Sequence, residues 1–484
     1  MQAITDFLLP IVQTINAYMS DYVLIFLLVG IGLFYSIRTR FVQIRCFGEG
    51  MKKVFGNISL RGGKKAGGLS SFQALATAIA AQVGTGNIVG ACGAILIGGP
   101  GAIFWMWIIA FFGMATIYAE ATLAQETREV QADGSVLGGP VYYIRRAFSG
   151  KFGKFLAGFF AVAIILALGF MGSMVQSNSI SESISTASTG AVPTWIIGLI
   201  LAAVCAFIFI GGVQRIASVA EKIVPIMAVL YLALGLIVLG FNFTKIPATF
   251  GMIFKYAFVP QAILGGAFGA GIKAAISQGA KRGLFSNEAG MGSTPHAHAQ
   301  ANVKNPHDQG VVAMIGVFID TFVVLTITAL VVISTLYSAG GPLSTSELLA
   351  ANTDITKANM MQTAMGQVFG STAGSILIAI CLTFFAFTTI ISWNFFGKQN
   401  VQYLFGKKAT VVYSVLAIVF IFLGSLFPND LVWELADMFN NIMVIPNVIA
   451  LAVLSGIVVK CVKNGVAAKK ANKNASAEES TDAE

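Results

Sequence analysis

Charge is scarce in this 484-residue sequence: 11% of residues are Asp, Glu, Lys or Arg, whereas 56% are hydrophobic and the mean hydropathy is +0.80. A water-facing surface takes about 25% charged residues, so lipid must meet most of the exterior. Cysteine is scarce too. Cys46, Cys92, Cys205, Cys381 and Cys461 follow no pairing or metal-ligand spacing, which predicts reduced thiols without a disulfide framework. Histidine is limited to His296, His298 and His307 in one predicted cytoplasmic loop, and a His-x-His pair without a third ligand argues against a metal centre. No basic residue precedes Arg38, so the first apolar run lacks the flank of a cleavable signal.

What is abundant is apolar sequence in long runs. A helix of about 20 residues crosses a hydrocarbon core of ~30 Å. Runs of that order lie at 18–37, 70–98, 101–123, 155–178, 194–213, 222–241, 258–283, 311–337, 372–396, 408–427 and 437–460. This predicts an all-α membrane protein of about 11 transmembrane helices. Counted so, the loops after odd-numbered spans and the tail hold 26 of the 30 Lys and Arg. Excess basic charge stays cytoplasmic, which puts the N-terminus outside and the C-terminus inside the cell (inner) membrane. The net charge of +9 reflects this asymmetry and anionic lipid, not nucleic-acid binding. Segment 1–69 comprises the first span and a basic stretch with Phe41, Ile44, Phe47 and Phe55, suited to the membrane surface. Segment 462–484, rich in Ala, Asn, Ser and Glu, is expected to be a disordered cytoplasmic tail.

Two spans are interrupted. The second carries Gln82-Val83-Gly84-Thr85-Gly86-Asn87 near its middle, and the seventh carries four glycines within Gly265–Gly271. Gly86–Gly90 and Gly265–Gly269 also fit close helix packing through small-xxx-small contacts. Position favours breaks: the two lie five spans apart, each opening a block of five, 70–244 and 245–461. An odd block length inverts the second block, and inverted repeats with discontinuous helices are a common transporter plan. Half-helix amides attract a carboxylate, and unwound carbonyls attract an ammonium or a cation.

Val83-Gly84-x-Gly86-Asn87 is similar to the first broken core helix of LeuT-like sodium symporters. Gly101-Ala-Ile-Phe-Trp-Met-Trp107 through Gly113 resembles the alanine/glycine:cation (sodium:alanine) symporter family, as do Gly283-Leu-Phe-Ser-Asn-Glu-Ala-Gly-Met-Gly-Ser293 and Pro295-His-Ala-His298. The resemblance covers nearly the whole chain. It implies a LeuT-like 5+5 inverted repeat with two discontinuous helices, and symport of alanine or glycine with Na+ rather than enzymatic work. It further implies Na+ near the Ala80 and Val83 carbonyls with Thr388 and Thr389, and a substrate near Thr85, Gly86, Asn87, Gln176, Phe268, Gly269, Thr389 and Trp393. No organic cofactor is expected; the partners are substrate, Na+ and the bilayer, with the protein a monomer.

Each residue also has a plainer reading. Thr in a membrane helix commonly bonds its own i−4 carbonyl, and Phe268 suits core packing. Trp105 and Trp107 fit an interfacial belt. Lys273 falls inside a span, where a lysine costs about 2.5–3.5 kcal/mol, so a partner is expected, with Asp320 and Glu120 as candidates. A structural ion pair and a proton relay through Lys273, Asp320 or Glu120 both remain open, and the relay would make coupling to H+ the alternative.

Overall fold

The computed structural model describes residues 2–56, 69–258, 268–344 and 354–481. Among these the chain is helical apart from a two-stranded hairpin. α1 (Ile4–Arg38) leads into two short helices, α2 (Val42–Arg45) and α3 (Phe47–Phe55). α4 (Ser71–Gln82) and α5 (Gly86–Gly98) form one bent element, followed by α6 (Ala102–Thr127). The hairpin β1 (Glu129–Val130) and β2 (Val136–Leu137) precedes α7 (Pro140–Ala147), α8 (Gly150–Ala187), α9 (Thr194–Ile210) and α10 (Gly212–Phe241). Next come α11 (Ile246–Phe258), α12 (Phe268–Asn287), α13 (Pro295–Ala299) and α14 (Pro306–Tyr337). α15 (Met360–Phe369), α16 (Ser371–Phe405), α17 (Ala409–Gly424), α18 (Asn429–Val453) and α19 (Ser455–Thr481) complete the chain.

Seven of these helices are long and apolar enough to cross a membrane, and α4 with α5 makes an eighth if the bent pair is one span. α9 and α17 are apolar but shorter. The outer surface is greasy: Ile210 is 85% exposed, Phe241 76% and Phe26 75%. Contiguous apolar surface on this scale marks contact with lipid. Inside, small residues bring helices close, since lipid removes the hydrophobic drive between them.

Local chemistry sets the element ends. Ser70 and Gln73 form a capping box at α4: Ser70 Oγ accepts from the Gln73 amide and Gln73 Oε1 from the Ser70 amide, both at 3.1 Å. Asn305 Oδ1 caps α14 by accepting from His307 N at 3.0 Å, ahead of Pro306 at the first helical position. Wide π-turns interrupt the ladders at Gly86–Gly90, Ile165–Gly172 and Phe318–Leu325. Such turns concentrate at functional sites because they re-aim side chains.

The glycine-rich stretch at 264–267 lies outside the described residues, but α12 runs unbroken from Phe268 through Gly269, Gly271 and Lys273 to Asn287. A discontinuity lies between α12 and α13, where Glu288, Gly290 and Gly292 adopt φ of 59°, 90° and 82°. Glycine tolerates left-handed backbone without a Cβ penalty, so the Asn287-Glu-Ala-Gly-Met-Gly-Ser293 motif is the break itself. Lys281 and Arg282, assigned from sequence to a cytoplasmic loop, therefore lie inside α12. α19 extends to Thr481, and its Lys469 pairs with Glu49 at 3.0 Å. Alanine and lysine favour helix strongly enough to carry it.

Candidate functional site

α4 ends at Val83, whose φ of −81° and ψ of 83° turn its carbonyl out of the helical direction. The chain then bends by 45° into α5. Gly84 sits where nothing larger fits, because a Cβ there would meet Thr389 Oγ1 at 2.5 Å and Gln176 Oε1 at 3.2 Å. This close approach brings α4, α8 and α16 together at the break.

An oxygen cluster occupies that junction. Thr389 Oγ1 donates to the Ala80 carbonyl at 2.9 Å and contacts its own i−4 carbonyl, Phe385, at 3.0 Å. Thr388 Oγ1 lies 3.0 Å from the same Phe385 oxygen and 3.0 Å from Phe384 O. Each hydroxyl thus contacts its own helix, and Thr389 also reaches across to α4. Ala80, Thr388 and Thr389 are brought together as the sequence suggested. The Phe385 carbonyl is an addition that a side-chain search could not find. Hard cations take oxygen ligands of this kind.

Beside it lies a second set of polar groups. The Thr85 amide donates to Gln176 Oε1 at 3.1 Å. Thr85 Oγ1 and Gln176 Nε2 are buried and make no hydrogen bond within the protein. Buried groups of this type are normally satisfied, and these two donors have no partner within the protein. Asn87 is engaged at both ends of its amide. Its Oδ1 accepts from the Gly84 amide at 3.0 Å and its Nδ2 donates to Asp320 Oδ1 at 2.6 Å, so both ends of the amide brace the break. Asp320 also accepts from Ser286 Oγ at 2.9 Å and Thr321 Oγ1 at 2.8 Å.

The second break meets the first directly. Gln82 Nε2 donates to the Asn287 carbonyl at 2.8 Å, and a Cβ at Gly86 would lie 3.0 Å from Ser286 Cα. Glu120 holds the break open from α6: its carboxylate accepts from Gly290 N at 3.0 Å, Gly292 N at 2.9 Å and Asn447 Nδ2 at 2.6 Å. Trp393 Nε1 donates to Glu288 Oε1 at 2.6 Å, and Ser293 Oγ donates to the other oxygen. Phe285 sets its ring edge-on to Trp393, 5.9 Å between centroids, and tilts against Trp433 at 4.7 Å.

Phe268 and Gly269 do not join this group. They start α12, and at 1.5 Å per residue Phe268 stands about 25 Å along the helix from Phe285; the Phe268 side chain lies outside the described residues. Asp320 and Glu120, the expected mates of Lys273, bond Asn87, Ser286 and the Gly290 and Gly292 amides. The Lys273 side chain is exposed, with Nζ 3.4 Å from Tyr22 Oη and 4.9 Å from the Tyr22 ring centre. The buried cations are Lys281 and Arg282, which pair with Asp437 at 2.9 and 3.1 Å. Arg282 also lies over the Trp433 ring at 4.7 Å. The histidines are not in an open loop: His296, His298 and His307 are at most 1% exposed on α13 and α14. A cavity of 720 Å³ near Phe209, Gln300, Lys398 and Gln402 touches none of the residues at the breaks.

The comparisons agree with one another. The model of the Sodium:alanine symporter family matches residues 5–479. The sodium/alanine symporter AgcS of Methanococcus maripaludis is 40% identical, covering 93% of this chain and 95% of that one. The amino-acid carrier protein AlsT of Bacillus subtilis is 36% identical over 92% and 90%. Among solved structures, MhsT in complex with L-phenylalanine superposes with a TM-score of 0.55 at 14% identity, over 82% of this chain and 99% of that chain, which speaks to fold. A LeuT-like helical scaffold, buried oxygens at one broken helix and a match across nearly the whole length converge: the chain belongs to the sodium:alanine symporter family, membrane-embedded cation symporters for amino acids and not enzymes.

Proposed function

We propose that this protein carries small neutral amino acids, alanine and glycine, into the cell together with Na+ by alternating access. The observation that carries the reading is the pairing of an oxygen cluster with two unsatisfied donors at one break. Ala80 O, Phe385 O, Thr388 Oγ1 and Thr389 Oγ1, with Val83 O, are the groups for Na+. Thr85 Oγ1 and Gln176 Nε2, with the half-helix amides at Thr85 and Gly86, are the groups for the substrate carboxylate. Carbonyls of the Glu288–Thr294 break receive the ammonium. Phe285 and Trp393 then bound the side chain and leave room for little beyond a methyl group.

Eleven spans with an outside N-terminus suit this reading. Each block of five begins with a broken element, α4–α5 and α12–α13, so the second runs inverted. On the α5 side, Phe285, Trp433 and the Asp437 ion pairs lie over the site; on the α4 side, Leu69 pairs with Gln300 and Asn302 by backbone bonds at 3.0 Å. The first layer is the outer closure and the second the inner one. Alternating access separates one layer while the other holds.

Coupling to H+ is the competing reading, and the two are separable. Labelled-alanine uptake into proteoliposomes is measured with an imposed Na+ gradient and, separately, an imposed H+ gradient. Uptake driven by Na+ alone supports the proposal. Uptake driven by H+ in Na+-free buffer defeats it and leaves Asp320 and Glu120 as carriers.

A further inference from the structure

The loop histidines looked unsuited to a metal for want of a third ligand, and the fold supplies two. Cys46 lies at the junction of α2 and α3, Glu49 in the first turn of α3, and His307 in the first turn of α14. One ligand atom from each lies within 4.8 Å of the others. His307 is fully buried and Cys46 is 4% exposed. The Tyr118 hydroxyl bonds His307 Nδ1 at 2.6 Å, which turns the opposite ring nitrogen toward Glu49. That Nε2 makes no hydrogen bond and stands 3.5 Å from Glu49 Oε1.

We propose that Cys46 Sγ, Glu49 Oε1 and His307 Nε2 bind a divalent transition-metal ion of the zinc class. Thiolate, imidazole and carboxylate are the ligand types zinc takes, at about 2.3, 2.0–2.1 and 2.0–2.2 Å. Tetrahedral ligands at those lengths stand roughly 3.4–3.6 Å apart, so the imidazole and carboxylate are already at ligand spacing. Water fills the fourth position. The Tyr118 contact is the outer-shell bond that fixes the ring and its tautomer. The cations nearby leave the site usable. Lys469 occupies the other Glu49 oxygen at 3.0 Å, and Lys53, 3.9 Å from Oε1, has its main partner in Asp308 at 2.8 Å. Binding releases the Cys46 proton to solvent, so affinity rises with pH. The ion would tie the surface helix α3 to α14, the helix that carries Asp320. α19 packs over it, where a Cβ at Gly465 would come within 2.2 Å of His307 Cγ.

The full-length protein, purified and stripped with chelator, is titrated with ZnCl2 by calorimetry, and Co2+ is used as a spectroscopic probe. One zinc per chain and a thiolate-to-cobalt charge-transfer band are expected. Cys46→Ser should abolish the band and weaken zinc by at least about tenfold, the lower bound for losing even an outer-shell partner. Cys461→Ser, whose thiol bonds Glu126 at 3.2 Å, should bind as the parent does. His307→Gln tests folding as well as binding, because the ring is packed; Cys46→Ser changes a single atom and decides the matter. No stoichiometric zinc in the parent, or equal affinity in Cys46→Ser, overturns the site.

Discussion

The Thr389 hydroxyl lies 2.9 Å from the Ala80 carbonyl, joining α16 to the last turn of α4 at the point where α4 breaks. Thr389→Ala should raise the Na+ concentration for half-maximal uptake by about tenfold, since a hydrogen bond or contact to a charged group is worth roughly 1.5–3 kcal/mol. Thr389→Ser should restore most of the loss. Unchanged Na+ dependence in Thr389→Ala would remove this oxygen from the cation site.

Glu120 accepts two backbone amides of the second break and the Asn447 amide. Glu120→Gln replaces one acceptor by a donor facing other donors, and a buried unsatisfied group costs about 1–3 kcal/mol. Thermal stability, net uptake and alanine exchange should fall together. Loss of net uptake with exchange intact would instead mark Glu120 as a proton carrier.

Asp437 pairs with both Lys281 and Arg282 in a buried layer, and Glu434 lies 3.4 Å from Lys281. Asp437→Asn leaves two cations without their shared anion, and breaking a buried pair this way costs about 3–5 kcal/mol. The purified protein should melt at a lower temperature, with uptake strongly reduced. Lys273→Gln, at an exposed position, should change both far less. Equal effects would contradict the placement of the buried charge.

Trp393 lies against Gly172, where an added Cβ would fall 2.5 Å from the ring. Trp393→Leu should let leucine compete for labelled-alanine uptake while weakening alanine itself. One methylene discriminates by about 1–3 kcal/mol in such pockets, so the parent should admit serine weakly. Leucine competing as well as alanine in the parent defeats the small-pocket reading.

Reporter fusions near Ser188 and Asp308 should lie on opposite faces of the membrane. A shared face would refute the eleven-span scheme.

Low charge and long apolar runs together dictated a helical membrane protein, because such a chain must meet lipid, lipid requires internally bonded backbone, and runs of about 20 residues suit spanning helices. The first break was legible too: Gly84, Thr85, Gly86 and Asn87 are polar or flexible where an apolar helix should continue. Ala80, Thr389 and Gln176 do meet at that break. The break after α12 was not legible: Gly269 and Gly271 lie within helix, whereas Glu288, Gly290 and Gly292 take left-handed backbone. Sequence reports a residue's conformational freedom; only its neighbours decide whether that freedom is used. Partnership follows the same rule. Lys273 looked buried by its place in an apolar run, and Lys281 and Arg282 looked exposed by their place at its end. The helix carries those two inward to Asp437, more than a hundred residues away in sequence. The Asn87–Asp320 brace, the Glu120 clamp and the Cys46–Glu49–His307 cluster join equally distant segments, so no local pattern could encode them.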